Sequence, residues 1–192
     1  VDPFDQADAT LEGVLGTDQL RVDAKGAPGD KVYIWDPSQG VGGGYDIYKL
    51  TDQGSGPVWF HIGSSVVSNP PVEAGDAMWI KSPVGSVDDL ELTITGQAVE
   101  STAVTTPIVE GFQLMGYPFS AKIAVQDTDF IADGAQKDAK GAPGDKMYLW
   151  DASSGTYKIL IVKDPDNHWS EVGGDGSAVA DVVGIGEGFW YK

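Results

Sequence analysis

Apolar and polar residues alternate in short runs along most of this chain. In "KVYIWD" (31–36), Val32 and Ile34 fall on one side and Tyr33 and Trp35 on the other; "KMYLWD" (146–151) repeats the arrangement with Met147 and Leu149 against Tyr148 and Trp150. A period of two over such lengths predicts half-buried β-strands. "MWIK" (78–81), "LELTITG" (90–96) and residues 111–116 are read as strands too, the first two for their β-branched and aromatic content. Clusters such as "GAPGD", "GVGGG", "DQGSG" and "GGDGS" supply the turns between them. Two stretches alternate poorly, "FDQADATLEG" (4–13) and "SAKIAVQDTDFIAD" (120–133), and each is expected to hold a short helical turn.

The pattern occurs twice. "DAKGAPGDKVYIWD" at 23–36 returns as "DAKGAPGDKMYLWD" at 138–151, with twelve of fourteen residues identical. The same offset of 115 lays Pro3-Phe4 over Pro118-Phe119. Beyond the Trp-Asp pairs the first copy carries a longer Gly-rich loop, after which Tyr48-Lys49-Leu50 is read against Tyr157-Lys158-Ile159. The six tryptophans fall into three pairs: Trp35 with Trp150, Trp59 with Trp169, and Trp79 with Trp190. The predicted fold is all-β, two tandem, sequence-related β-sandwich or barrel-like domains with short helical turns. Repeat one spans 1–83 and repeat two 108–192, joined by a β connection at 84–107.

Composition narrows the function. A chain of 192 residues with 41% hydrophobic content has enough apolar surface to fold, and its 29 Asp+Glu against 12 Lys+Arg give a net charge of -17. That charge repels nucleic acid and anionic membrane surfaces. No apolar run approaches the roughly 20 residues that cross a bilayer, so no membrane insertion is expected. The start at Val1 rather than Met is read as processing of a secretion signal, which places the protein outside the cell. With no Cys, thiolate metal sites and Cys nucleophiles are excluded, and stability rests on packing and β ladders.

The segments "GFQLMGYPF", "GDKMYLWD" and "GEGFWYK" resemble the G-W-N-L-x-G-N-P-F … G-D-x-I-Y-x-W-D … P-G-Q-G-F-W-V-K pattern of exported, often cell-surface or passenger-type β modules of bacteria. The resemblance covers repeat two almost whole and repeat one from Pro3 onward. Phe112-Gln113 stands where the pattern has Trp-Asn, and the opening strand is missing from repeat one. The resemblance implies an extracellular β-rich module and brings no catalytic residues with it.

Candidate chemistry is sparse. His61 and His168 occupy non-equivalent places, and no G-x-S-x-G, H-E-x-x-H or P-loop occurs, so the expectation is a non-enzymatic protein. Asp164, Asp166 and Asp175, in "KDPDNHWSEVGGDGS", are candidate Ca²⁺ ligands on a loop that otherwise reads as an acidic turn; no other cofactor is indicated. Trp59 and Trp169, beside polar residues, are candidates for exposed contact with surface glycans, whereas Tyr33, Trp35, Tyr148 and Trp150 are assigned to packing. The two chain ends look complementary, Val1, Asp2, Pro3 and Phe4 against Phe189, Trp190, Tyr191 and Lys192. The leading expectation is an extracellular structural protein whose copies join head to tail through these β edges into a filament or surface layer. The alternative is a secreted carbohydrate- or calcium-binding adhesion module.

Overall fold

The computed structural model describes residues 9–39, 42–64, 66–83, 91–94, 103–140 and 142–192. The chain is mostly β-sheet with a single α-helix among the described residues. The elements are α1 (Leu11–Leu15), β1 (Lys31–Asp36), β2 (Gly44–Asp52), β3 (Pro57–His61), β4 (Met78–Lys81), β5 (Gln113–Gly116), β6 (Ile123–Ala124), β7 (Lys146–Asp151), β8 (Thr156–Lys163), β9 (His168–Glu171), β10 (Val182–Val183) and β11 (Gly188–Tyr191). They form a four-stranded sheet in the order β3-β2-β1-β4, a five-stranded sheet in the order β5-β11-β7-β8-β9, and a two-stranded ribbon of β10 and β6. The all-β expectation holds, and both helical turns fall in the stretches that alternate poorly. Thr10 caps α1 by accepting from Gly13 N, and Val125–Asp127 makes one 3₁₀ turn.

Period-two alternation decides which face of each sheet is buried. Val32, Tyr48, Leu50 and Trp59 gather with Leu11, Val14 and Leu15 in one core cluster; Met147, Leu160, Val162, Trp169, Phe189 and Tyr191 form a second. The pairing also corrects the alignment of the second strands. Trp35 faces Tyr45 as Trp150 faces Tyr157, so Tyr45-Asp46-Ile47 answers Tyr157-Lys158-Ile159, three residues away from the sequence reading. Composition misleads there because both strands contain a Tyr followed closely by Lys; the cross-strand partner of the tryptophan is what fixes register.

The duplicated "DAKGAPGD" is a loop that docks on the strand after the one it precedes, on β2 in the first copy and β8 in the second. Asp23 N donates to Leu50 O and Asp138 N to Val162 O, both at 2.8 Å, while Ala24 with Ala27 and Ala139 with Ala142 exchange backbone bonds at 3.0 Å. The Asp23 and Asp138 carboxylates each accept from a glycine N–H, Gly29 and Gly144, at 3.3 Å. Gly26 has φ 81°, a conformation glycine adopts without penalty. Gly29 is needed for a different reason: a Cβ there would lie 2.4 Å from Arg21 O, and one on Gly144 would lie 2.4 Å from Gln136 O. Gly26 and Gly29 in the first copy and Gly144 in the second are therefore set by geometry, which accounts for part of the near-identity of the stretch.

The expected strand at 90–96 does not form over its described part. Residues 91–94 pair with no strand among the described residues; Leu92 and Ile94 pack on the first cluster, and Thr93 is held by the Gln19 amide, which donates to Thr93 O at 3.0 Å and accepts from Thr93 N at 2.7 Å. Alternation there serves docking without a ladder. Residues 111–116, by contrast, contain β5.

Gly29→Ala and Gly144→Ala should each lower stability by about 1–3 kcal/mol through overpacking against backbone, read as a shift in urea midpoint at unchanged slope. Lys49 Nζ lies 2.5 Å from Asp23 Oδ2, and that bond holds the Asp23 carboxyl below its usual range. A depressed carboxylate contributes stability above its unfolded pKa and loses it as pH falls through the folded value. The stability gap between the native chain and Lys49→Met should therefore narrow from neutral pH to about pH 3, measured by denaturant titration at each pH.

Candidate ligand-binding cleft

The outward faces of the two large sheets are also aromatic, and they meet. Trp35 packs edge-on against Trp190 with ring centroids 4.9 Å apart, and Trp79 against Trp150 at 6.4 Å, so each sheet lends one strand-end tryptophan to the other in exchange. Tyr45 and Phe112 extend the layer, lying 6.1 and 6.0 Å from Trp190. Trp35 Nε1 donates to Phe112 O at 3.0 Å, and burial pushes the Tyr45 hydroxyl up to about 12.

The exchange is unequal at its two ends. The long loop after β1 lays Gly43 on the Trp35 indole, so closely that a Cβ there would stand 2.2 Å from the ring. The turn after β7, "ASSGT", is three residues shorter and brings no such lid. Trp150 consequently remains 47% exposed. Strand pairing differs as well: β1 and β4 pair over four residues, from Lys31 with Lys81 to Ile34 with Met78, whereas the pairing along β7 and β11 covers three, from Lys146 with Lys192 to Tyr148 with Trp190. Where that ladder stops, Leu149, Trp150 and Asp151 part from Gly188, and a cleft of about 580 Å³ opens. Ala77, Met78 and Trp79 form its far wall, Leu114 and Val182 add apolar surface, and Asp151, Lys158, Asp181 and Glu187 bring charge. A larger hollow, about 1510 Å³, is lined by Val104, Ile108, Phe130 and Tyr191 among others.

The charged groups of the cleft are locally anchored. Asp151 accepts from Ser153 N at 2.9 Å and from the hydroxyls of Ser153 and Ser154 at 2.7 and 2.8 Å, which holds its carboxyl down at about 2. Lys158 Nζ donates to both oxygens of Asp181 at 2.9 and 3.0 Å; this bond raises its pKa and keeps it charged. Glu187 Oε2 accepts from Gly184 N at 2.7 Å, leaving its other oxygen toward solvent. An acid catalyst needs a carboxyl raised above its usual range. Asp151 is shifted the opposite way, and Asp76, which burial does raise, does not line the cleft.

Several residues singled out in the sequence lie elsewhere. Trp59 and Trp169 are 1% and 0% exposed, so neither is an exposed contact; each plugs a core cluster from an outer strand of its sheet, while Trp150, assigned to packing, is the exposed ring. Asp164 stands 3.8 Å from Lys137, Asp175 accepts from Ser177 N, and Asp166 offers its backbone carbonyl to His168. Among the described residues no three His, Asp or Glu side chains gather as a metal site, Asp164, Asp166 and Asp175 included. Phe189, Trp190 and Tyr191 do not form an open edge, because β11 lies between β5 and β7; Lys192 continues that pairing, exchanging backbone bonds with Lys146 and placing Nζ 4.5 Å over the Phe112 ring. Val1, Asp2, Pro3 and Phe4 lie outside the described residues.

No family model, curated protein or solved structure matches the chain. The asymmetry that exposes Trp150 is half-legible in the sequence, as the shorter loop after its strand; the parting of β7 and β11 has no sequence signal that we identify.

The two core tryptophans make a test of their own. Trp59 Nε1 donates to Gly16 O at 3.1 Å, whereas Trp169 Nε1 is buried with no partner among the described residues. Trp59→Phe should cost about 1–3 kcal/mol more than Trp169→Phe, because only the former orphans a hydrogen-bonding group; thermal or denaturant unfolding of both variants checks it.

Proposed function

We propose that this chain is a non-enzymatic extracellular binding module, built of two related β units, that recognises carbohydrate in the cleft between them. The observation that carries the reading is Trp150, an indole left 47% exposed beside a second tryptophan and a ring of anchored polar groups. Sugar rings present a C–H face that stacks on an indole and a hydroxyl rim that requires charged or dipolar partners, and the cleft combines the two in a volume typical of small-ligand sites. Asp181 and Lys158 are paired but exposed enough to accept from and donate to hydroxyls at the same time.

The head-to-tail assembly expected from the chain ends loses its main support. Beyond the pairing of β11 on both sides, three of the four outer strands each carry an added bridge: Val67 to Phe60 on β3, Ala178 to Ser170 on β9, and Asp76 to Met115 on β5. Blunted edges are how β proteins avoid edge-to-edge growth. A secreted, cell-surface location agrees with the resemblance to exported bacterial modules.

Trp150→Ala should abolish binding on a broad glycan array at a temperature where the variant is still folded; loss of the edge contacts to Trp79 and Tyr157 should lower its melting temperature by a few degrees without unfolding it. An array on which the native protein retains no glycan overturns the reading.

A further inference from the structure

The cleft's charge narrows what fits. Asp151, Asp181 and Glu187 line it, and among its lining residues Lys158 supplies the one cation, already engaged by both Asp181 oxygens. Glu171 stands 4.0 Å from the same ammonium and adds negative charge behind it. Asp151 is ionised; its Oδ1 accepts twice from Ser153 and its Oδ2 once from Ser154, so it adds negative field and keeps acceptor capacity on Oδ2. Glu187 is exposed and has one oxygen uncommitted by its bond to Gly184. Beside these carboxylates lie the faces of Trp150 and Trp79, which attract cations as well as C–H groups. The whole chain carries -17, which adds a long-range term of the same sign.

We propose that the cleft takes amino sugars, hexosamine units whose free amine is protonated, with the pyranose face stacked on Trp150 and the ammonium directed to Glu187 and Asp181. This rests on the reading of the cleft as a carbohydrate site and narrows it. A neutral sugar uses the indole but leaves the excess negative charge uncompensated, and a uronate meets that charge with its own. The pairing of Lys158 with Asp181 keeps the only local cation from repelling the amine.

The test is calorimetric titration of the intact chain with three tetrasaccharides: the fully de-N-acetylated glucosamine tetramer, its N-acetylated counterpart, and a galacturonate tetramer, at a mildly acidic pH where the amines are protonated. The glucosamine tetramer should bind about tenfold more tightly than the acetylated one at low salt, with the difference shrinking as salt is raised. The galacturonate tetramer should not bind. Glu187→Gln keeps the side-chain length and an acceptor for Gly184 N while removing the charge; it should reduce the ratio of glucosamine-tetramer to acetylated-tetramer affinity. Equal or tighter binding of the acetylated tetramer overturns the amino-sugar assignment and leaves the carbohydrate reading standing. Glucosamine binding that survives Trp150→Ala is diffuse attraction to an acidic surface and also overturns it. Failure of the glucosamine tetramer to bind at all has the same effect, while the wider reading falls only if no glycan on the array binds.

Discussion

Both faces of both large sheets are apolar, and a strand that is hydrophobic on two sides needs a partner on each. One face is satisfied locally, by Trp59 and α1 in the first sheet and by Trp169 and Phe130 in the second. The other can be satisfied only by the opposite sheet, through Trp35 with Trp190 and Trp79 with Trp150. Aromatic pairs of this edge-on geometry contribute about 0.5–1.5 kcal/mol each beyond the area they bury. The two sheets are thus held by reciprocal donation of rings, and Phe112, which leads into β5, is drawn into the same layer beside Tyr148 and Trp190.

A duplicated fold with a perfect exchange would have no cleft. The cleft lies where the two sheets differ: the Gly-rich loop covers Trp35 but not Trp150, β5 joins only the second sheet, and the β7–β11 ladder is one pair shorter than that of β1 and β4. Divergence also shows in the cores. Tyr191 donates to Asp145 at 2.8 Å, whereas Ile80 stands at the equivalent place against the buried Asp30, one of whose oxygens has no partner among the described residues. Hydrogen bonding to Asp145, together with burial, raises the Tyr191 hydroxyl well above its usual range.

Much of this architecture is legible in the sequence because it is local. Alternation in "KVYIWD" and "KMYLWD" marks strands and faces, poor alternation marks the helical turns, and the identity of the two "DAKGAPGD" loops reflects glycines that backbone atoms crowd. The errors concern long-range facts. Exposure of a tryptophan depends on what crosses it: neighbours in sequence made Trp59 and Trp169 look polar, yet each sits on an outer strand whose inward face is the core. The partner of β11 lies more than seventy residues upstream, and a strand at the end of a chain looks unpaired when only adjacent segments are considered. Asp164 beside Lys137 and Asp175 on Ser177 N are likewise placed by their own turns and neighbours, which spacing along the chain does not show.

Three glutamines do work that strands do elsewhere. Gln19 bonds both backbone groups of Thr93, Gln113 bonds Pro107 O and Val109 N, and Gln126 bonds Trp169 on both its amide and its carbonyl, with Val179 O as a third partner. Each needs a donor and an acceptor on one side chain, which a carboxylate at neutral pH does not provide. Slow hydrolysis of such an amide to glutamate would set a negative charge against carbonyl oxygens inside the fold. The chemical lifetime of these amides, as well as the equilibrium stability of the sheets, therefore limits how long the molecule keeps its shape.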